Sequence, residues 1–567
     1  MLREPKLLTD PFLQLPTENS VRVVWFTEFS GSRHIVAYGD NLSQIVTATT
    51  TKLSRTREDG SKQRLKPTIR DIWRHEAEVT KLTPNIKVSY RVTSVREDGQ
   101  SVSSDLFSLA AKPPRGSSLK ILLTSDHQLK PMTAANLQKV VEIVGIDAVF
   151  FAGDLVNVPD RASEWFDVNG GNAFFPCLQG RANYELTKNN VKTVYRGGQL
   201  IQNAPIFTAI GNHEVMGRFS MNNCLDEQFD RTLPREVAKN IYQNENVNCD
   251  FKQDMHPLCH SHAESGDESN KWLKDNSFNT DTYEEIFSLP ESKEGGKKYY
   301  AVTFGDVRLV VLYVSCMWRS PSLGANVRGR YKESENSLDQ PADWGYGQHI
   351  FEPIKKGSTQ YQWLEAELNS LEFKQAKYKV VMLHHPPHTL GDNIVPAFTD
   401  PVQIIERDTD GNIQAVRYEY PKQQDYIIHT LVPLLEASGI QLVFYGHSHL
   451  WNRFVSPAGT HYLETSNVGN SYGAALDDKQ RPVPNGYQEE YTVKGDPYGL
   501  EPVVPTIAAL VGEDGQPLPV VASNDITVFS IFETGSGIIS SYWFDTRSPL
   551  DNAVKFDEFY LNIHSLS

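Results

Sequence analysis

LKILLTSDHQ (119–128), PMTAANLQKVVEIV (131–144) and IDAVFFAGD (146–154) follow one another along the chain. The outer two are apolar runs of strand length, and the middle one repeats its apolar residues at helical spacing. Strand, helix and strand in that order make a parallel unit of an α/β layered fold. Further strand-like runs follow at PIFTAIG (205–211), VRLVVLYVS (307–315), KYKVVMLHH (377–385) and IQLVFYGH (440–447). DITVFSIF and GIISSYWF, turning through Glu533-Thr534-Gly535-Ser536, read as a closing hairpin. Long polar stretches at about 155–204, 217–297 and 317–358 separate the strands. They are too long for structureless loops and are expected to be insertions with structure of their own near the working face.

Metal-binding side chains stand at the ends of these runs. LLTS leads into Asp126-His127-Gln128, VFFA into Gly153-Asp154, and TAI into Gly211-Asn212-His213-Glu214. VVML leads into His384-His385-Pro386-Pro387-His388, and LVFY into Gly446-His447-Ser448-His449. In open α/β sheets ligands bind beyond the carboxyl ends of the strands. Neighbouring strands lie about 4.8 Å apart, so Asp126 and Asp154 reach a shared volume. Carboxylates crowded together repel one another unless cations neutralise them. Neutral imidazoles and one amide suit borderline divalent metals such as zinc, manganese or iron. Two metals about 3.5–4 Å apart, bridged by a carboxylate, clamp both oxygens of an in-line phosphoryl displacement. Alone, any one of these motifs is a turn or a structural residue; five in order, each at a strand end, point to a two-metal site.

Upstream the character differs. VRVVWF (21–26) and the alternating SYRVTSV (89–95) read as strands, with Leu82-Thr83-Pro84-Asn85 turning into the second. This first part resembles a fibronectin type III-like domain ending near Leu109, a β spacer unless it has a binding role, and AKPPRGSS (111–118) is the linker after it. The whole chain has 567 residues, 39% hydrophobic and 22% charged, with a net charge of −15. That acidity excludes general nucleic-acid binding, which needs cations to displace counterions. No run approaches the roughly 18 apolar residues of a membrane span. The N-terminus lacks the apolar core of a signal peptide, so a cytoplasmic protein is expected, or an extracytoplasmic one if a presequence was removed. Five cysteines do not make a disulfide framework, although one bridge within 224–259 is open. In NCDFKQDMHPLCHSH (248–262), Cys249, His256, Cys259, His260 and His262 are either solvated loop residues or a small metal site of no defensible zinc spacing.

The series Asp126…Gly153-Asp154…Gly211-Asn212-His213-Glu214…His384…Gly446-His447-Ser448-His449 resembles the calcineurin-like metallophosphoesterase superfamily. With a β domain in front, the layout is most similar to purple acid phosphatases and their relatives. The resemblance implies an all-β immunoglobulin/fibronectin-like sandwich over 12–110, the linker 111–118, and a catalytic α/β domain over 119–567. The latter would be a four-layer sandwich of two mixed β-sheets flanked by helices. It implies two divalent metal ions, manganese, iron, zinc or magnesium. Asp126 and His449 would bind the first, Asn212, His384 and His447 the second, with Asp154 bridging them. His213 would orient the phosphate, and a hydroxide between the ions would be the nucleophile.

Two positions depart from the family. Position 128 is Gln where the family has His or Gly, so Gln128 either supplies an amide oxygen to the first metal or lines the site. Asn157 stands where purple acid phosphatases carry Tyr, so no ferric-tyrosinate purple centre is expected. The first metal site is expected to be the weaker, and the pH optimum to move upward from acid. His127, Asn157, His385 and His388 are candidates to meet the substrate phosphate, with structural hydrogen bonds as the alternative for the histidines. Arg181 and Arg218 are the nearest cations in sequence, and Asn467, Asn470 and Tyr472 are rim candidates. The expected activity is a phosphomonoesterase acting on a phosphorylated small molecule or nucleotide. Phosphodiesterase action, cyclic nucleotides included, and phosphoprotein phosphatase action are alternatives on the same site. An inactive binding protein is the alternative of another class, motivated by Gln128.

Overall fold

The computed structural model describes residues 4–60, 65–168, 171–249, 266–319, 328–393, 397–476, 479–481 and 494–562; of 244–249 and 266–267 it describes the backbone alone. Among these, no helix is long and apolar enough to cross a membrane. The chain begins with two facing antiparallel sheets. One pairs Phe12–Gln14, Val21–Thr27, Trp73–Val79 and Thr49–Lys52. The other is built on Val88–Val95, flanked by Ser101–Ser103, Phe107–Leu109 and Arg33–Tyr38, the last carrying Gln44–Thr47 at its outer edge. Side chains alternate along a strand. Val21, Val23 and Trp25 therefore point into the sandwich with Val36, Tyr90 and Val92, while Val24 and Phe26 point the other way. The unbroken VRVVWF run is explained by burial on both faces.

Two larger mixed sheets follow. The six-stranded one runs Ile206–Thr208, Ala148–Phe151, Lys120–Thr124, Ile526–Glu533, Ile538–Asp545 and Val554–Tyr560. Its first three strands are parallel, and the terminal hairpin adds the antiparallel half. The seven-stranded sheet runs Tyr300–Phe304, Val307–Val311, Tyr378–Met382, Leu442–Tyr445, His461–Thr465, Trp451–Val455 and Val520–Val521. Leu309, Val380, Met382 and Phe444 share one core with Leu123, Val149 and Phe151 of the first sheet. Val310, Val381 and Val443 face a second core with Leu364 and Leu435, from the helices Thr359–Leu368 and Val432–Ala437. This is the layered architecture expected from the strand–helix–strand unit, whose helix spans Thr133–Ile143.

Phe12, Val24, Phe26, Leu53 and Ile72 from the first sandwich join the core between the large sheets. Phe26 lies 5.0 Å, ring centroid to centroid, from Phe166 and 5.6 Å from Phe175. The polar stretch 155–204 holds two short helices and the hairpin Tyr184–Lys188 with Val191–Tyr195. Among the described residues of 217–297 lie four helices, Leu225–Phe229, Arg235–Cys249, Gly266–Asn276 and Asp281–Ile286. A bridge starting at Cys224 is corrected, because Cys224 is a buried free thiol. The Cys/His group around 249–262 lies outside the described residues.

Candidate metal centre

The parallel strands Lys120–Thr124, Ala148–Phe151 and Ile206–Thr208 end on one edge of their sheet, as do Tyr378–Met382 and Leu442–Tyr445 in the other. The residues that follow these ends turn toward one another. Asp126, Gln128, Asp154, His447 and His449 all hold the left-handed backbone conformation, with φ between 35° and 82°. Sterics disfavour that region for any residue with a Cβ, at about 1–3 kcal/mol each, and it persists at sites where the surroundings over-determine it. Gly153, at φ 90°, has a more direct reason: a Cβ there would lie 2.8 Å from His384 Nδ1 and 2.7 Å from Gly211 N.

Acidic, amide and imidazole side chains meet beyond the edge. His384 Nε2 lies 3.2 Å from Asp154 Oδ2 and 3.2 Å from Asn212 Oδ1. His447 Nδ1 lies 3.0 Å from Asn212 Oδ1 and 3.3 Å from His384 Nε2. On the other side His449 Nε2 lies 3.4 Å from Asp126 Oδ1. Ligand atoms of Asp126, Asp154 and His449 all fall within 4.8 Å of one another, and so do those of His384, His385 and His447. The His447 N–H donates to both Asp126 oxygens, at 3.1 and 2.9 Å, which ties the two sheets together at the site. Gln128 donates its amide to Asp154 Oδ2 at 2.6 Å, while its Oε1 is buried without a partner.

Backbone carbonyls orient three of the imidazoles. His384 Nδ1 donates to Ala152 O at 2.8 Å, His449 Nδ1 to Asn470 O at 3.0 Å, and His213 Nδ1 to Asn157 O at 2.7 Å. A carbonyl only accepts, so each Nδ1 carries a proton and each Nε2 is left for other work. Lone pairs of Asn212 Oδ1, His384 Nε2 and His447 Nδ1 then converge, and the orphaned Gln128 oxygen sits beside the carboxylates. A cation satisfies such a donor set, and the mixture of carboxylate, amide and imidazole fits divalent metals.

The electrostatics agree with that fit. Burial opposes charging His384, but Asp154 outweighs it and pushes the imidazole up to about 10, which shows how strongly the carboxylate draws positive charge to this side of the site. Burial likewise opposes ionising Asp154, and His384 and His213 overcome it, holding the carboxyl below the usual range. His447 is kept neutral by burial and by the charges of its histidine neighbours. Burial also lowers His213, against the pull of Asp154.

The structure gathers Asp126, Gln128, Asp154, Asn212, His384, His447 and His449, with His213 anchored beside them by its N–H on Asp154 Oδ1 at 2.9 Å. His385 stacks on His447, centroids 4.0 Å apart, and lines a cavity there with Cys316 and Asn393. Asn157 serves through its carbonyl. His127 is corrected as a substrate group: it is buried against Phe151, and its Nε2 meets Thr124 Oγ1 at 2.9 Å. His388 has its Nδ1 3.0 Å from Asp496 Oδ2 and its ring packed on Tyr462. Arg181 pairs with Asp10, Arg218 donates to Ala342 O, and Asn467 is buried on Ile526 O. Tyr472 does reach the rim, stacked on His449.

Two supporting acids escaped the sequence reading. Glu214 accepts the N–H groups of Asp154, Leu155 and Gly211 at 2.7–2.8 Å, fixing two of the motif turns. Burial and the neighbouring Asp154 charge push it up to about 8. Glu464 accepts the Ser448 N–H at 2.7 Å between the last two imidazoles. No spacing rule marks a carboxylate whose partners are backbone groups; only its place in the Asn-His-Glu turn hinted at Glu214.

Parallel strand ends that converge on paired carboxylates and imidazoles define a metal-dependent hydrolase site. Residues 119–450 match the calcineurin-like phosphoesterase family, and residues 9–110 match the N-terminal domain of purple acid phosphatases. The chain belongs to the calcineurin-like phosphoesterase family, whose members depend on a dinuclear metal centre, and it carries the purple acid phosphatase type of N-terminal domain. No curated protein sequence matches it. Among solved structures it is similar to purple acid phosphatase PPD1 from yellow lupin (Lupinus luteus) seeds, at 14% identity and a TM-score of 0.52 over 97% of this chain and 73% of that one. GAP50, the anchor in the inner membrane complex of Plasmodium, matches at 10% identity, TM-score 0.32, over 78% and 89% of the two chains. A dimetal phosphatase from Danio rerio matches at 11%, TM-score 0.30, over 77% and 98%.

Proposed function

We propose that this chain hydrolyses phosphoric monoesters at two divalent cations drawn from manganese, iron, zinc and magnesium. Asp126, Gln128 and His449 would hold one cation and Asn212, His384 and His447 the other, with Asp154 shared between them. The observation that carries the reading is the convergence of carboxylate, amide and imidazole groups from five separate strand ends, with the Gln128 oxygen orphaned among them. Cations bound there supply Lewis acidity toward phosphoryl oxygens and acidify water at neutral pH.

The protein's own groups do the rest. Asn157 holds the proton on His213 Nδ1, which leaves Nε2 as the nitrogen presented to the ester. In its charged form Nε2–H donates to a phosphoryl or leaving-group oxygen; in its neutral form it accepts. Asn157 in place of a phenolate supports a colourless centre of two divalent ions. The division into a β domain at 12–110, a linker at 111–118 and a catalytic domain from 119 goes with this reading. The purple acid phosphatase type of N-terminal domain supports the monoester branch over diesters and phosphoproteins. Hydrolysis of a chromogenic phosphomonoester and its diester by the manganese- or zinc-loaded chain tests this. Monoester turnover at least about tenfold above diester turnover is expected, and a preference for the diester would reverse the assignment.

A further inference from the structure

Asp59 belongs to the N-terminal domain, directly after the short strand Arg57–Glu58, which pairs with Thr68–Ile69 outside the two sandwich sheets, and is 3% exposed. Both of its oxygens serve the phosphoesterase part of the chain. Oδ1 pairs with Arg161 Nε at 3.0 Å, and Oδ2 accepts the Leu225 N–H at 2.7 Å. Each contact starts a path that ends on His213.

Along the first path, Arg161 Nη1 grips Glu164 Oε1 at 2.7 Å. Glu164 Oε2 accepts the N–H groups of Asn157, at 2.6 Å, and Val158, at 3.0 Å. The Val158 N–H and the Asn157 C=O belong to one planar peptide, and in the trans form they point in opposite directions. Turning that N–H onto Glu164 aims the carbonyl away from it, and the carbonyl receives His213 Nδ1–H at 2.7 Å. Along the second path, Leu225 opens the helix Leu225–Phe229. The Phe229 ring at its other end stacks on the His213 imidazole, centroids 5.0 Å apart and planes 20° apart. One path fixes an edge of the ring and the other a face, and only Nε2 is left free. Arg57 braces the same region, pairing with Asp160 at 2.6 Å and donating to Gln228 Oε1 at 2.9 Å.

Asp59, Cys224 and Asp226 together have the outline of a cation site. The Arg161 guanidinium already lies among them, 3.0 Å from Asp59 and 2.7 Å from Asp226. Its charge neutralises the carboxylates, which makes this an ion-pair hub.

We propose that Asp59 is a positioning residue for His213: a carboxylate of the β domain that sets the imidazole's orientation through Arg161, Glu164 and Asn157, and through the 225–229 helix. The proposal rests on His213 acting on the phosphate ester. It gives the N-terminal domain a part in turnover, because a ring displaced by a fraction of an ångström loses rate without losing substrate affinity.

The test is a double-mutant cycle on the full, metal-loaded chain with a chromogenic phosphomonoester, using Asp59→Asn and His213→Ala. Asp59→Asn is expected to lower kcat about tenfold, with KM and metal content unchanged. In the His213→Ala background the same change is expected to lower kcat less than twofold. Equal losses in both backgrounds, or no loss in either, would overturn the proposal. Amide exchange by mass spectrometry supplies a readout independent of turnover. Faster exchange at residues 157–158 and 225–229 in Asp59→Asn supports the two paths, and unchanged exchange there refutes them. If His213→Ala alone leaves kcat intact, the proposed function of His213 fails, and the exchange data still decide whether Asp59 holds it.

Discussion

At the scale of single residues, the centre is held by groups that touch no substrate. Glu214 is the sharpest case, because one buried carboxylate satisfies three backbone N–H groups in the turns that carry Asp154 and Asn212. Each such donor left unpaired costs about 1–3 kcal/mol. Glu214→Ala should therefore destabilise the chain by about 3 kcal/mol or more in urea denaturation, with Glu214→Gln milder because one acceptor oxygen remains. Equal, small losses in both variants would show that the turns hold themselves. The metal-binding residue types were legible in sequence because each follows an apolar run, where strand geometry places them at one edge. Their supporting acids were not, since a carboxylate that binds backbone leaves no pattern of side chains. His127 misled for a related reason: position after a strand end does not say which way a ring turns, and this one packs inward on Phe151.

At the scale of elements, the strands that were easiest to read are those buried on both faces, where nothing interrupts the apolar run. Trp73–Val79, sequence WRHEAEV, is a central strand of the first sheet that escaped notice, because its outward face is charged. Glu76 and Glu78 on that face pair with Arg22 and Ser20 at 2.7 and 2.8 Å. The hairpin Val402–Arg407 with Ile413–Glu419 was missed because it is largely exposed, its apolar residues interrupted by charged and amide ones. His75, on the inward face of WRHEAEV, stacks on His34 with centroids 3.6 Å apart. Burial, then the charges of His34 and Arg74, push His75 down to about 3. The unfolded chain binds this proton near pH 6.5 and the folded chain does not. The stabilisation is therefore complete above about pH 6.5 and is lost progressively as pH falls from there toward 3. At pH 4.5 the loss amounts to about 3 kcal/mol. Melting temperature followed from pH 7.5 to 4.5 should fall less steeply in His75→Gln than in the parent, and parallel slopes would assign the acid sensitivity elsewhere.

At the scale of the whole molecule, the first sandwich and the phosphoesterase layers are joined by apolar packing as well as by ion pairs. Phe12 and Phe26 sit against Phe166, Phe175 and Phe287 in the main core. The linker at 111–118 marks a boundary in sequence that the packing crosses, which composition alone does not reveal. A chain starting at residue 119 would expose those rings, and we expect it to be recovered as aggregate; a soluble, active fragment would show that the interface is dispensable. In the proposed centre, donors from five strand ends bind two metals with Asp154 between them. Metal content by mass spectrometry, on the full chain refolded or dialysed with manganese or zinc and on Asp154→Asn beside it, tests this most directly. About two divalent ions per chain are expected, falling to one or fewer in Asp154→Asn; one ion or none in the parent chain would overturn the two-metal assignment.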